Sequence, residues 1–149
     1  MGERYRGAVF GLYQMLIRAS GRNLGTSAII PDASGRQVLV VRSRFHGSWG
    51  FPGGGVQRGE SIPDAIVREC REELGVDVTV EYLSGIYYVR HLDSHTLVFR
   101  CSAPEAPIVL SVEHSEYRYI GLDELPPGER VRARDALDAH GRVPLRTLP

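Results

Sequence analysis

The segment between Ser61 and Gly75 restricts the fold more than any other part of the chain, because both of its ends carry helix signals. Ser61 is suited to cap the N-terminus of a helix, and Pro63 falls in the first turn, where its missing N–H costs nothing. Gly75 is the residue type with which helices commonly end. The sequence therefore predicts a helix over residues 62–74.

Three glutamates share one side of this predicted helix. At 100° per residue, Glu69, Glu72 and Glu73 fall within an arc of about 100°, next to an apolar stripe. Carboxylates this close repel one another unless they are protonated or neutralised by a cation. Arg68 and Arg71 can relieve part of the repulsion, so two interpretations stay open at this point: a solvated surface with salt bridges, or a cation site.

The residue types around the glutamates favour a site for a hard cation. The small side chain of Ala65, on the same side of the helix, leaves room for ions. Oxygen ligands suit Mg²⁺ or Mn²⁺, and the absence of clustered histidine and cysteine argues against zinc. Such an ion neutralises phosphate oxygens and lowers the pKa of bound water. The helix is thus typical of metal-assisted phosphoryl chemistry.

A glycine-rich loop directly precedes the helix. Gly53, Gly54 and Gly55 let backbone N–H groups approach an anion, or let the chain turn tightly beside metals, although a triple glycine alone is a weak signal. Arg42 and Arg44 lie at the end of a predicted strand, ahead of the glycine loop. Two interpretations are open: their guanidinium groups reach a distal phosphate, or they are solvated residues at a strand end. We predict that these five residues bind substrate.

Composition indicates that any phosphate binding is local. The 149 residues carry 18 basic and 18 acidic side chains, for a net charge of zero. Proteins that coat nucleic acid or bind membranes through basic patches need a surplus of cations, so both classes are disfavoured. All the basic residues are arginine, which excludes Schiff-base chemistry on a lysine.

Apolar periodicity and turn residues divide the whole chain into short elements. Helices are predicted over 5–19 and 129–139, and strands over 26–30, 37–42, 76–83, 86–90, 95–101, 116–121 and, on weaker grounds, 108–112. The turn at 31–35 predicts a hairpin of the first two strands. We predict one α+β domain over 1–149 with a mixed sheet and helices on both faces. It comprises an N-terminal helical extension (1–23), a core (24–127) and a C-terminal helix and tail (128–149).

The cysteines and the N-terminus bear on localisation. Cys70 and Cys101 lie in apolar segments without a CxxC pattern, so we expect reduced core residues. The apolar stretch near the N-terminus is interrupted by Gln14, and no small-residue cleavage site follows it. No apolar run approaches the roughly 20 residues of a membrane span. We therefore expect a cytoplasmic protein without a membrane anchor.

The spacing of residues in the loop and helix resembles the signature box of the Nudix hydrolases. The matching run is Gly54, five residues, Glu60, seven residues, Arg68-Glu69, then Glu72-Glu73 and Leu74-Gly75-Val76. The stretches 49–54 and 116–126 also resemble the family, so the resemblance covers about residues 24–127. Cys70 departs from it by replacing an aliphatic residue, and a small apolar thiol serves equally well there.

The resemblance implies an α/β/α sandwich of the Nudix type that hydrolyses a nucleoside diphosphate linked to another moiety, using Mg²⁺ or Mn²⁺. By this resemblance Glu72 and Glu73 are metal ligands, and Glu69 is a ligand or the base that activates water. Arg68 would orient the glutamates through charge-assisted hydrogen bonds. Glu60 would be an outer ligand or would hold the loop.

The resemblance leaves several matters open. A carboxylate outside the box often acts as base or ligand in this family, and the candidates are Glu113 and Glu116. The substrate is a small-molecule nucleotide: a (d)NTP, a nucleoside diphosphate sugar or ADP-ribose. The alternative is a catalytically silent nucleotide-binding or regulatory module, against which the intact set of glutamates speaks. The family also suggests a homodimer, for which the N-terminal amphipathic segment is the only sequence hint.

Overall fold

The computed structural model describes residues 24–138 and 143–149, which form two β-sheets and two α-helices. The strands are β1 (Leu24–Ile29), β2 (Gln37–Ser43), β3 (Trp49–Gly50), β4 (Thr79–Val89), β5 (Ser94–Ser102), β6 (His114–Gly121) and β7 (Leu145–Leu148). The helices are α1 (Ile62–Leu74) and α2 (Pro127–Leu137), and short 3-10 turns follow β4 and β6.

The sheets have the strand orders β1-β5-β4-β7 and β3-β2-β6. The first is mixed, because β1 pairs with β5 and β7 with β4 in parallel, whereas β4 and β5 are antiparallel. The second is antiparallel. This arrangement, with one helix on each side, confirms the predicted α+β sandwich.

Side chains that alternate along the central strands build two separate cores. Ala28 of β1 and Leu39 of β2 pack with Ile66 and Leu74 of α1. The other core packs against Ala133 and Ala136 of α2, on the opposite face of the strands. It contains Ile29 of β1, Val38 and Val40 of β2, and Val98 of β5. Because successive strand residues point to opposite faces, one layer of strands supports both helices.

Helix α1 has the predicted ends. The Ser61 hydroxyl accepts a hydrogen bond from the backbone N–H of Asp64 at 3.2 Å, and Pro63 lies in the first turn. Gly75 adopts a left-handed conformation with φ of 68°, and its N–H donates to the Arg71 carbonyl at 3.0 Å. Helix α1 therefore has a fixed length and a fixed start beside the glycine loop.

The predicted hairpin of the first two strands forms only beside its turn, where the Leu39 N–H donates to the Ile30 carbonyl and the Asp32 N–H to the Gln37 carbonyl, both at 2.9 Å. The turn itself forms, since the Asp32 carboxylate accepts from the backbone N–H groups of Arg36 and Gln37. Beyond the Pro31–Val38 bridge, however, β1 and β2 enter different sheets. Both strands are buried on two faces, so their sequences carry no alternation that specifies a neighbour.

Three further predictions need correction. Residues 76–83 and 86–90 do not make two strands, because β4 is continuous and has irregular register at Val80/Tyr82 and Leu83/Gly85. Residues 108–112 form a loop and not a strand. The N–H groups of Val109 and Ser111 in this loop donate to carbonyls at the carboxyl end of α1. Strand β7 was not predicted from the sequence. The predicted helix over 5–19, and the end of the last predicted helix, lie outside the described residues.

Both cysteines are free and buried, as expected. In the portions of the chain that the structure describes, no helix has the length and apolar character needed to cross a bilayer.

Candidate active site

A cavity of about 340 Å³ lies where the glycine loop, one side of α1 and the loop before β6 meet. Its lining is predominantly polar and acidic: Gly53, Gly54, Gln57, Arg68, Glu69, Glu72, Glu73, Ser111, Val112 and Glu113. Four of these residues are glutamates and one is arginine, so the cavity is rich in negative charge.

The glycine loop runs along the free edge of β1. The Thr26 and Ala28 N–H groups donate to the Gly54 and Pro52 carbonyls, both at 2.8 Å. A Cβ on Gly53 would lie 2.1 Å from the Thr26 carbonyl oxygen, and the φ of Gly53 is 150°. Only glycine therefore permits this approach.

The Gly54 position faces the helix rather than β1. A Cβ there would meet the Glu69 carboxylate at 2.6 Å, whereas a Cβ on Gly55 would meet nothing within 4 Å. Gly53 and Gly54 thus have distinct steric reasons to be glycine. Gly55 has no such reason in the folded chain.

Arg68 joins the loop to the helix by donating to several acceptors. Its guanidinium binds Glu60 through two hydrogen bonds of 2.9 and 2.8 Å, and the Gly55 carbonyl at 3.0 Å. It also donates to Glu69 at 2.8 Å and to Glu72 at 3.2 Å. The hydrogen bond to Glu60 is the main reason why the pKa of Arg68 is raised. These hydrogen bonds hold the Glu69 and Glu72 carboxylates and the glycine loop in place around Arg68.

Glu60 lies on Arg68 and is not among the residues that line the cavity. Hydrogen bonds from Arg68 and from the Gln57 N–H lower the pKa of Glu60 to about 2. The structure therefore places Glu60 where it holds the loop, one of the two roles that the resemblance implied.

Glu69 and Glu73 are the less exposed of the three carboxylates on α1. Burial raises the pKa of Glu69, and the hydrogen bond from Arg68 only partly offsets this. Glu73 is 6% exposed and accepts a hydrogen bond from the Gly53 N–H at 3.1 Å. A buried carboxylate needs a cation or several donors to remain ionised. Glu72 beside them is more exposed.

These residues fit a divalent cation. Four carboxylates line the cavity, and Arg68 is the one guanidinium among the lining residues. Oxygen donors are the ligands that Mg²⁺ and Mn²⁺ prefer. Ala65, which was predicted to leave room beside such ions, is fully buried and is not among the residues that line the cavity.

The loop before β6 brings Glu113 to the cavity. The Ser111 N–H donates to the Glu73 carbonyl at 3.1 Å, which fixes the loop on the end of α1. His114 follows, and its Nε2 lies 3.3 Å from Oε2 of Glu73. Burial alone would lower the pKa of His114, but the Glu73 and Glu113 carboxylates outweigh it and raise the pKa.

Arg42, Arg44 and Glu116 are not among the cavity residues. Arg42 donates to Glu116 at 2.9 Å, and Glu116 also binds Arg118. Arg44 donates to the backbone carbonyls of Val112 and His114 at 3.0 and 3.1 Å. Both guanidinium groups are therefore paired within the protein, while both side chains stay exposed.

Comparison with known proteins identifies this arrangement. The NUDIX domain model matches residues 21–140. The chain belongs to the Nudix family. A MutT-like protein of Streptomyces ambofaciens is 30% identical over 125 residues, which cover 80% of this chain and 79% of that protein. The residues from Gly54 to Val76 are accordingly called the Nudix box below.

Further relatives are hydrolases with different names. The NAD-capped RNA hydrolase NudC of Pseudomonas aeruginosa is 35% identical over 78% of this chain, which spans 44% of that protein. An ADP-ribose pyrophosphatase from Streptococcus suis shares the fold, with a TM-score of 0.70 at 23% identity over 85% of this chain and 99% of that one. The chain is a hydrolase of the Nudix family.

Four residues in or beside the cavity were not predicted from the sequence. Gln57, Ser111 and Val112 line the cavity, and His114 touches Glu73. The one available signal for His114 was its position beside Glu113, directly before a predicted strand. Without the contact between this loop and α1, nothing in the sequence joins His114 to the box.

Proposed function

We propose that this Nudix hydrolase uses Mg²⁺ or Mn²⁺ to hydrolyse a pyrophosphate bond in a nucleoside diphosphate linked to another moiety. The observation that carries the proposal is the set of four glutamates on one cavity with a single arginine among them. A cluster with this excess of negative charge attracts divalent cations, and the cations in turn attract phosphate groups.

The position of each side chain supports a proposed role for it. Glu72 and Glu73 would hold the cation, and Arg68 keeps both the loop and the helix carboxylates in place. A bound divalent cation supplies neutralisation of the phosphate oxygens and makes a nearby water more acidic. The backbone N–H groups of the glycine loop lie beside the same cavity.

Glu69 is our candidate for the base that takes a proton from the attacking water. Its carboxylate faces the cavity, and Arg68 holds one of its oxygens at 2.8 Å. The water oxygen would attack phosphorus, and the bond from phosphorus to the bridging oxygen would break. Of the two carboxylates outside the Nudix box, we favour Glu113 over Glu116, because Glu113 lines the cavity and Glu116 is paired with two arginines.

The names of related proteins support the proposed substrate class. They include a nucleoside triphosphatase, an NAD-capped RNA hydrolase and an ADP-ribose pyrophosphatase. We therefore propose a (d)NTP, a nucleoside diphosphate sugar or ADP-ribose as substrate. The protein is proposed to act in the cytoplasm, which agrees with its free cysteines, and to assemble as a homodimer.

The test is a hydrolysis assay on a panel of these nucleotides with Mg²⁺ or Mn²⁺, following release of phosphate, pyrophosphate or nucleoside monophosphate. Glu73→Gln should lower kcat by about a hundredfold or more, since a charged ligand is lost. Glu105→Gln is the matched control, because Glu105 is exposed and outside the cavity. EDTA should abolish turnover.

Two outcomes would overturn the proposal. Turnover that survives both EDTA and Glu73→Gln would refute the metal mechanism. Binding of nucleotides without any turnover would favour the alternative, a silent nucleotide-binding or regulatory Nudix module.

A further inference from the structure

His114 lies at the edge of the carboxylate cluster, and both of its ring nitrogens are buried. Its side chain is 12% exposed, and its Nε2 lies 3.3 Å from Oε2 of Glu73, whose side chain is 8% exposed. Among the described residues, neither ring nitrogen has a hydrogen-bond partner of good geometry. Buried polar groups are almost always partnered, so the Glu73 carboxylate beside Nε2 is either the ion-pair partner of His114 or a fellow ligand of a shared cation.

Glu113 completes a group of three possible ligands. One ligand atom each from Glu73, Glu113 and His114 lies within 4.8 Å of the other two. Atoms at this separation can bind one cation after small side-chain movements, because ligand atoms about 2.1 Å from an ion lie up to roughly 4 Å apart. The three side chains come from α1, from the last residue of the loop before β6 and from the first residue of β6.

The backbone around this group is held firmly. The Ser111 N–H and the Val109 N–H bond to the carbonyls of Glu73 and Leu74 at 3.1 and 2.9 Å. On the other side, Arg44 binds the carbonyls that flank Glu113. The imidazole is therefore presented to Glu73 by a fixed scaffold, as a ligand site requires.

We propose that His114 adds a nitrogen ligand to the carboxylates, so that Glu73, Glu113 and His114 form a cation site that selects Mn²⁺ over Mg²⁺. Imidazole suits transition metals, whereas Mg²⁺ prefers oxygen and keeps much of its water. This inference rests on the proposed function, in which a cation at this site promotes hydrolysis, and it adds which metal the site prefers.

A simpler arrangement competes with this one. A protonated His114 would pair with Glu73 and bind no metal at all. The two arrangements differ in one observable: a direct bond between nitrogen and metal exists only in the first. Measurements of metal binding without any nucleotide therefore distinguish them.

The experiment titrates the apo protein with Mn²⁺ and follows free Mn²⁺ by its electron paramagnetic resonance signal, alone and in competition with Mg²⁺. The wild type should bind Mn²⁺ at least about tenfold more tightly than Mg²⁺. His114→Ala and His114→Gln should weaken Mn²⁺ binding by about tenfold or more and leave Mg²⁺ binding within about threefold. His95→Ala is the matched control, because His95 is exposed and outside the cavity.

A second measurement needs no variant. Electron spin echo modulation of Mn²⁺ bound to the wild type should show coupling to a ¹⁴N nucleus. Absence of that coupling, or an unchanged Mn²⁺ to Mg²⁺ ratio in the folded His114 variants, would overturn the inference. Nitrogen coordination in a protein that hydrolyses no nucleotide would leave the inference standing and refute the proposed function.

Discussion

Gly54 and Gly55 are adjacent in the Nudix box, yet they meet different surroundings. A Cβ on Gly54 would lie 2.6 Å from the Glu69 carboxylate, and a Cβ on Gly55 would lie in open space. Gly54→Ala should displace Glu69 and lower kcat by about tenfold to a hundredfold, since small misplacements of catalytic groups are costly. Steady-state hydrolysis by the two alanine variants measures the difference.

Gly55→Ala is the control for this comparison, because both variants lose the same backbone freedom. It should retain nearly wild-type kcat. Equal losses in both variants would show that loop flexibility, rather than the contact with Glu69, is what the glycines provide.

At single residues, the sequence predicts best where the chemistry is local. Arg68 and Glu60 are eight positions apart around the start of one helix, and the structure joins them directly. Arg42 and Arg44 were predicted beside a phosphate, but their partners lie about 70 residues further along the chain. Such partners depend on which strands pair, and no local pattern encodes that pairing.

At the scale of elements, Arg44 fixes the end of β2 to the loop before β6. Its guanidinium binds the carbonyls of Val112 and His114, and its own N–H donates to the Glu113 carbonyl at 2.8 Å. Arg44→Ala should therefore lower kcat by about tenfold through Glu113, with KM within about threefold. Arg44→Lys should recover little, since one ammonium reaches these two carbonyls less well than a planar fork.

The alternative interpretation of Arg44, as a ligand of a distal phosphate, predicts a change in KM and not in kcat. An arginine that binds a distal phosphate would raise KM when removed and would leave the Glu113 loop unchanged. Arg36→Ala provides the matched control, because Arg36 is an exposed arginine in the turn before β2. A rise in KM alone for Arg44→Ala would therefore restore the substrate-binding role.

Asp135 links α2 to β7 and should show its role in the pH dependence of stability. It accepts two hydrogen bonds from Arg146, at 2.7 and 2.8 Å, and one from the Tyr87 hydroxyl at 2.7 Å. Burial alone would raise the pKa of Asp135, but these hydrogen bonds outweigh it and hold the pKa below the usual value of an aspartate. The ionised carboxylate therefore stabilises the fold at neutral pH, and this contribution is lost as the pH falls through the lowered pKa.

Asp135→Asn should accordingly reduce the free energy of unfolding by about 1–3 kcal/mol at neutral pH. The difference from wild type should shrink as the pH falls through the acidic range, and urea unfolding at several pH values measures it. Asp123→Asn, at an exposed aspartate, is the control. A difference that stays constant down to about pH 2.5 would contradict the assigned charge effect.

Elements were predictable where their signals are local, and not where the partner is distant. Capping residues and apolar spacing define α1 at both ends. In contrast, β7 is four residues long and exposed over most of its length, and it exists through its pairing with β4. The assignment of β1 and β2 to different sheets likewise depends on β5 and β6, which come much later in the chain.

At the scale of the whole molecule, zero net charge is compatible with an anionic substrate. The protein concentrates negative charge on one cavity, so divalent cations and not surface arginines would attract phosphates. The same concentration of charge has a cost in the absence of metal, because Glu69, Glu72 and Glu73 repel one another. Metal binding should thus stabilise the folded chain as a whole.

Thermal unfolding with and without Mn²⁺ tests this coupling between site and fold. A cation at about a hundredfold excess over its Kd adds about 2.7 kcal/mol, which corresponds to a rise in Tm of about 5–10 °C for a chain of this length. Glu73→Gln should lose most of that rise, and Glu105→Gln should keep it, since only Glu73 is a buried carboxylate on the cavity. If Mn²⁺ raised Tm equally in both variants, the stabilising ion would have to bind elsewhere on the protein.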